Sequence, residues 1–403
     1  MVSALVAGAA LFTTAQLLVQ QAEQSLTRVP VPELESPAAE TDARHFLLVG
    51  SDARDGVDDA VRGEIPLGEF DGQRSDVIIY VAISQDRSEV SLVSLPRDLL
   101  VVDDGRHDKL TNTFAGGPDE LIRVIRENFG LPVNHYAAIS FGGFIEVVRT
   151  LGSVEICLDE PLEDWRAGAS FTAGCHDMDA TDSLSYVRSR AGTRADFDRI
   201  DRQQNFIRAV LGELTQTRVL ANPRQVFRLV EDVASNLTTD DALGMGQMLG
   251  LAEEMRTVVA DGLPMTTVPA YPRRIDGVDY MVPYAPGASA LFSDLVAGRP
   301  VAERGTPDER SETLVMVHAD GRWAAADTVR STLAWAGFRT DGVGRGPGAT
   351  EAGAVTTVYA ADGERDRATW IADTLGAPLE DLPDDVTLPD GAAAIVSVGD
   401  DAQ

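Results

Sequence analysis

Basic side chains are scarce in this chain: of 403 residues, 34 are Lys or Arg against 64 Asp or Glu, a formal net charge of -30 at pH 7. That balance excludes duplex nucleic acid as a partner, because non-specific duplex binding needs a basic face that releases counterions from many phosphates. No helix-turn-helix pattern is present either. Cysteine is nearly absent, Cys157 and Cys175 being the only two. A thiolate metal cluster is thereby disfavoured, since His176 is the one further soft ligand nearby. Low-complexity stretches are few, and a hydrophobic content of 44% suffices for two globular domains and a tail.

Charge is also missing from the first segment, Met1 to Val19. Its apolar length is close to the roughly 20 residues that cross a bilayer, so residues 1–20 read as a transmembrane anchor; a cleaved signal peptide is the alternative, without a convincing basic leader or cleavage site. Residues 21–44, rich in Pro, Glu and Ala and without periodicity, read as an extracellular stalk. The two cysteines read as a disulfide, which would contribute roughly 3 kcal/mol in an oxidising compartment. Two unrelated buried thiols are the alternative.

Folded sequence begins at His45. Phe46–Gly50, Val77–Ile83 and Val90–Leu95 are apolar runs of the kind found in strands covered on both faces. Helical periodicity follows at Asp119–Phe129, Gly143–Leu151 and Asp196 to about Thr215, and a Met- and Leu-rich helix near Asp241 to Ala260 reads as core packing ahead of an adaptable apolar channel. Helices alternating with buried strands predict a three-layer α/β/α sandwich over residues 45–300. Residues 301–312 read as a linker, and residues 313–403 as a small α/β domain without a chemistry-bearing motif.

Against the acidic background, Arg54, Arg97, Lys109, Arg188, Arg190, Arg199 and Arg202 stand in short clusters beside strand ends or helix starts, where ligands collect in open α/β sheets. Guanidinium groups hold phosphate oxygens in fork geometry, so the set predicts a receptor for a compact, multiply charged phosphate. Asp52 follows the first strand and Asp76 opens the second; two carboxylates plus a diphosphate are what Mg²⁺ prefers. Singly, each Asp could be a turn or cap residue. Tyr186–Arg190 reads as a strand-like piece whose alternation points Arg188 and Arg190 to one side. Asp196, Arg199 and Gln203 share a helix face with Arg202 beside it, a face that a solvated, salt-bridged surface would also explain.

Seven ordered segments carry a resemblance: Leu48–Arg54, Arg74–Asp76, Ser94–Asp98, Lys109–Asn112, Phe114–Pro118, Tyr186–Arg190 and Asp196–Gln204. In order and spacing, over about residues 45–215, the chain resembles the LytR-CpsA-Psr family of cell-wall polymer transferases. Residues from about 311 to 402 are similar to the LytR C-terminal domain, although His318–Arg322 stands where an Asn-Gly-rich turn is common. The resemblance implies a membrane-anchored enzyme with an extracellular catalytic domain. It would take a glycopolymer from a polyprenyl-pyrophosphate carrier and join it by a phosphodiester to peptidoglycan, at the C6 hydroxyl of muramic acid. It also implies Mg²⁺ on Asp52 and Asp76, and a diphosphate surrounded by Arg54, Arg97, Arg188, Arg190, Arg199, Arg202 and Gln203, with a hydrophobic tunnel for the lipid. Lys109 joins this set on charge, and Arg97, Asp98 and Asp196 are the catalytic candidates, the two aspartates as general bases. Hydrolysis of the lipid diphosphate, or binding without turnover, are the rival readings. Two departures are Ala191, where a His is frequent, and a long segment between Asp52 and Asp76.

Overall fold

The computed structural model describes residues 20–35, 42–51, 75–192, 194, 196–215, 231, 234–254, 263–301, 305–319, 321–344, 355–384 and 386–402. The chain forms two compact units, one of Met1–Val90, Phe114–Arg123 and Pro132–Leu263, the other of Ser91–Thr113, Val124–Leu131 and Pro264–Gln403.

In the first unit, strands β1 (Thr27–Val29), β2 (Arg44–Ser51), β3 (Ser75–Ile83), β4 (His135–Ser140) and β9 (Leu237–Asp240) lie in the order β1-β9-β4-β2-β3. The pairings are mixed: β4 runs parallel to β2 and β1 to β9, while β2–β3 and β9–β4 are antiparallel. Unbroken burial from Ile78 to Ile83 fits the apolar run there, which has no polar face to offer solvent. After β4, Ser140 caps α1 (Phe141–Leu151) by accepting the Gly143 N–H, and Gly152 at φ 98° ends it.

Next comes a small lobe made of β5 (Val154–Leu158), β6 (Leu162–Asp164), β7 (Ala169–Phe171) and β8 (Gly174–Met178). Cys157 and Cys175 face each other across the antiparallel β5–β8 pair and are disulfide-bonded. Its core joins Ile145, Val154, Ile156 and Leu184 to Phe206. Two helices complete the approach to the candidate site, α2 (Ala180–Arg188) and α3 (Asp196–Thr215); α4 (Met245–Glu254) follows β9.

The stalk expectation is corrected for its first part, the described residues up to 35. Residues 20–25 are helical and β1 is hydrogen-bonded to β9. Ala22 and Leu26 are buried against Ala234 and Met245, and the Glu23 carboxylate accepts the Met245 N–H at 2.6 Å. Pro and Glu in this stretch masked a short edge strand whose stabilisation comes entirely from distant partners. Met245, at the start of the Met-rich helix, is therefore core. Among the described residues no helix is long and apolar enough to cross a membrane; residues 1–19, which carry the expected anchor, lie outside them.

In the second unit, Val90–Ser94 pairs in parallel with Met265–Thr267, and β10 (Ala270–Ile275) forms a hairpin with β11 (Val278–Pro283). After α5 (Ala285–Val296), part of the expected linker is helical: α6 (Pro307–Glu312) opens on a capping box between Thr306 and Glu309, a device that the charged composition concealed. The C-terminal part holds β12 (Leu314–His318), α7 (Trp323–Trp335), β13 (Arg339–Gly344), β14 (Thr357–Ala360), α8 (Arg365–Leu375), β15 (Leu379–Asp381) and β16 (Ala392–Ser397). Its five strands are ordered β13-β12-β16-β14-β15. Tyr284 packs into the core of this sheet with Val315, Val329 and Ile371, and a Cβ on Gly287 would lie 2.2 Å from the Thr374 carbonyl oxygen. The compact unit that holds the C-terminal sheet also takes in residues 264–300, which the sequence reading places with the catalytic domain.

Candidate active site

Arg188 and Arg190 lie at the end of a helix, which corrects the strand-like reading of Tyr186–Arg190. Asp179 starts α2 by accepting the N–H groups of Thr181 and Asp182 at 2.8 and 2.9 Å, and the buried Leu184 and Tyr186 hold it in place. The helix ends at Ser189, whose N–H still donates to Ser185 and Tyr186 carbonyls while its own backbone is extended. Arg188 is therefore in the last helical turn and Arg190 is the second residue beyond it. The Arg188 guanidinium carbon sits 5.6 Å from the centre of the Phe141 ring.

Three side chains fix this segment. Asp164, at the end of β6, accepts the Arg190 N–H at 2.7 Å and the Ser189 hydroxyl at 3.2 Å on one oxygen, and the Arg166 N–H at 3.0 Å on the other. From α3, Arg202 donates to the carbonyls of Ser189 and Ala191 at 3.0 and 2.5 Å, and Gln203 to that of Val187 at 3.3 Å. Burial works against the Asp164 charge, but the hydrogen bonds from Arg190, Arg166, Ala167 and Ser189 outweigh it and hold the carboxyl below its usual range. Burial likewise lowers the Arg202 pKa, against the stabilising charges of Asp198, Asp201 and Asp164 and of Tyr186.

The polar face of α3 is thus an inner face. Arg199 is 3% exposed and Gln203 and Gln204 are buried, whereas Ile207, Val210 and Leu211 are only half-buried. Arg202 and Gln203, expected around the diphosphate, hold main-chain carbonyls and so position Arg188 and Arg190. Arg194, which the sequence reading left aside, pairs with Asp198 at 2.6 Å and Asp201 at 2.8 Å. The Asp198 carboxylate also fills the space where a Cβ of Gly192, at φ +118°, would stand. Both aspartates lie inside the Asp196–Gln204 segment, so their signal was present; their partner Arg194, four and seven residues earlier, lies just outside it. Asp196 is the first residue of α3, and its side chain lies outside the described residues.

Asp52 and Arg54 fall outside the described residues too, directly after β2. The register between β2 and β3 shifts there: Gly50 pairs with Val77 and Ser51 with Ser75, which leaves Asp76 as the extra residue of a β-bulge. A Cβ on Gly50 would lie 3.0 Å from the Val77 Cβ, so any larger residue would force the two strands slightly apart. The bulge places the backbone of Asp76 at the end of the sheet where β2 finishes. A carboxylate residue at this edge has the chemistry that a hard, oxygen-seeking cation such as Mg²⁺ takes.

In the second unit, Lys109 Nζ is 2.9 Å from one Asp98 oxygen and Arg97 Nε 3.6 Å from the other. The backbone beneath them is locked: the Thr111 N–H donates to the Arg97 carbonyl at 2.9 Å and the Met281 N–H to that of Asp98 at 2.9 Å, while Leu99 and Leu110 are wholly buried. Asp98 thus lies between two cations.

The LytR_cpsA_psr family model matches residues 10–297. The chain belongs to the LytR-CpsA-Psr family. Within it, the probable cell wall biosynthesis protein LcpB of Corynebacterium glutamicum is 32% identical over 283 residues, 68% of this chain and 66% of LcpB. TagU of Bacillus subtilis, named polyisoprenyl-teichoic acid–peptidoglycan teichoic acid transferase, is 28% identical over 200 residues, 48% of this chain and 60% of TagU. The chain therefore spans less than two thirds of the length of either relative. Among solved structures, a LytR-Csp2A-Psr enzyme from Actinomyces oris shares the fold with a TM-score of 0.54 at 23% identity, over 67% of this chain and 95% of that one. The mixed α/β architecture is thus that of the LytR-CpsA-Psr family.

Proposed function

We propose that this protein transfers a glycopolymer phosphate from a polyprenyl-pyrophosphate carrier to peptidoglycan. The observation that carries the reading is the clamped Arg188–Arg190 segment, held by Asp164, Arg202 and Gln203 on an otherwise acidic chain. Membership of the LytR-CpsA-Psr family and the transferase name of TagU support it. In the reaction, a hydroxyl oxygen of muramic acid attacks the phosphorus attached to the glycopolymer. The bond from that phosphorus to polyprenyl phosphate breaks, polyprenyl phosphate leaves, and the hydroxyl proton passes to a base, for which Asp196 is the candidate.

Phosphoryl transfer asks a protein mainly for positioning and charge stabilisation. Arg188, Arg190 and Arg199 would take the diphosphate oxygens, and Arg202 and Gln203 keep Arg188 and Arg190 in register. Mg²⁺, held by Asp52 and Asp76, would neutralise further charge on the diphosphate. The Cys157–Cys175 disulfide supports an oxidising, extracellular location for the catalytic unit, with residues 1–20 as the anchor.

The test is transfer from a short-chain lipid-linked glycopolymer to peptidoglycan fragments, followed as released polyprenyl phosphate and as polymer-bound glycan. Arg190→Ala should lower the rate about 100-fold, the scale of a lost charge-stabilising donor, with unfolding unchanged. Release of polyprenyl phosphate without polymer attachment would identify a hydrolase, and an unaffected Arg190→Ala rate would sink the site assignment.

A further inference from the structure

A cavity of about 750 Å³ in the second unit is bounded by the β10–β11 hairpin and by α7, and none of the roles above uses it. Alternation along β10 sets Tyr271 and Arg273 on one face of the hairpin. On α7, Trp323, Asp327 and Ser331 recur every four residues and so form one stripe. All five line the cavity. The opposite stripe of the helix, with Ala326, Val329 and Leu333, is core.

Burial does not explain Trp323, a large aromatic side chain that is 56% exposed at the first position of its helix. The charges around it are mostly compensated. Asp327 pairs with Arg330 at 2.6 Å, Arg322 with Asp400 at 2.7 Å, and Asp401 accepts the Thr356 N–H and hydroxyl at 2.7 and 2.6 Å. Arg273, by contrast, is exposed and forms no ion pair among the described residues; the neighbouring Arg274 is the one that faces Asp279, at 3.7 Å. The cavity therefore combines aromatic side chains, short polar groups and one guanidinium without an ion pair among the described residues.

We propose that this cavity binds a saccharide bearing a single anionic group. Sugar rings present C–H faces that pack on aromatic rings, while their hydroxyls need donors and acceptors of the kind Asp327 and Ser331 provide. The guanidinium of Arg273 takes the carboxylate or phosphate in fork geometry. The volume lies within the range of small-molecule sites, and a lipid chain does not suit walls that carry Arg273, Asp327 and Asp401. This site lies outside the arginine segment and does not depend on the transfer reading.

The experiment is equilibrium binding to the full chain, read by tryptophan fluorescence and by calorimetry, with three probes. These are the N-acetylglucosamine–N-acetylmuramic acid disaccharide, which carries a carboxylate, its neutral counterpart chitobiose, and glucose 1-phosphate. At least one charged probe should saturate and bind about tenfold tighter than chitobiose, as expected for a charge-assisted hydrogen bond; the better of the two identifies the anion. Arg273→Gln should remove that preference, and Trp323→Ala should abolish the fluorescence change and weaken the calorimetric signal. Both positions are exposed, so both variants should fold. Equal binding of charged and neutral probes, an unaltered Arg273→Gln preference, or no saturable binding of any probe would overturn the proposal.

Discussion

The carboxylate of Asp164 accepts the main-chain N–H of Arg190 at 2.7 Å, tying the end of β6 to an exposed arginine just past the end of α2. Because Asp164 also accepts from Ser189 and Arg166, its loss should loosen the whole segment. Asp164→Ala should weaken diphosphate binding about three- to tenfold, the worth of a charge-assisted hydrogen bond discounted for its exposure, and Asp164→Asn should recover part of it. Calorimetry with a short polyprenyl diphosphate checks this; equal affinities in all three proteins would show that the segment holds itself.

Arg202 acts through geometry. Its two carbonyl bonds need a planar fork, and Lys retains the charge without that shape. Arg202→Lys should therefore destabilise the protein by about 1–3 kcal/mol, because buried carbonyls lose their donors. Denaturant unfolding with an unchanged midpoint would refute this.

At the bulge, Gly50→Ala should act on the metal edge. The added methyl group meets the Val77 side chain at 3.0 Å, and the strands must part by a few tenths of an ångström. Overpacking of this kind costs about 1–3 kcal/mol, and the bulged residue is Asp76. Weaker Mg²⁺ binding together with a lower melting temperature is expected. Wild-type values for both would mean that the edge accommodates the methyl group.

His45 should give the protein a pH dependence of its own. It is 4% exposed, lies 5.7 Å from the Tyr80 ring, and its Nδ1 makes no hydrogen bond among the described residues. Burial lowers its pKa from 6.5 to about 4. As pH falls below 6.5 the unfolded chain takes up this proton first, so stability declines from there until the folded protein also protonates near 4. The loss is on the order of 3 kcal/mol across that window. His45→Phe should remove that part of the slope in thermal unfolding between pH 7 and 4; parallel curves for the two proteins would count against it.

Sequence reading located the helices well where an apolar stripe and a terminating glycine coincide, as at Phe141–Leu151 before Gly152 and Trp323–Trp335 before Gly337, and it marked the arginines because they stand out on an acidic chain. It failed where the deciding partner is distant. Nothing local in Thr27–Val29 announces pairing with Leu237–Asp240. Arg202 and Gln203 have the composition of ligand residues, and only their carbonyl partners 11 to 16 positions earlier show otherwise. The bulge at Asp76 is a matter of register, which hydrophobic patterning does not encode at a strand end.

The pairing of β1 with β9 bears on how a soluble form should be cut. A fragment beginning near residue 41 would leave the backbone edge of β9 unpaired and strip Ala22 and Leu26 from Met245. An open edge of that kind invites pairing between molecules, so such a fragment should self-associate, whereas one beginning before residue 20 keeps its own edge covered.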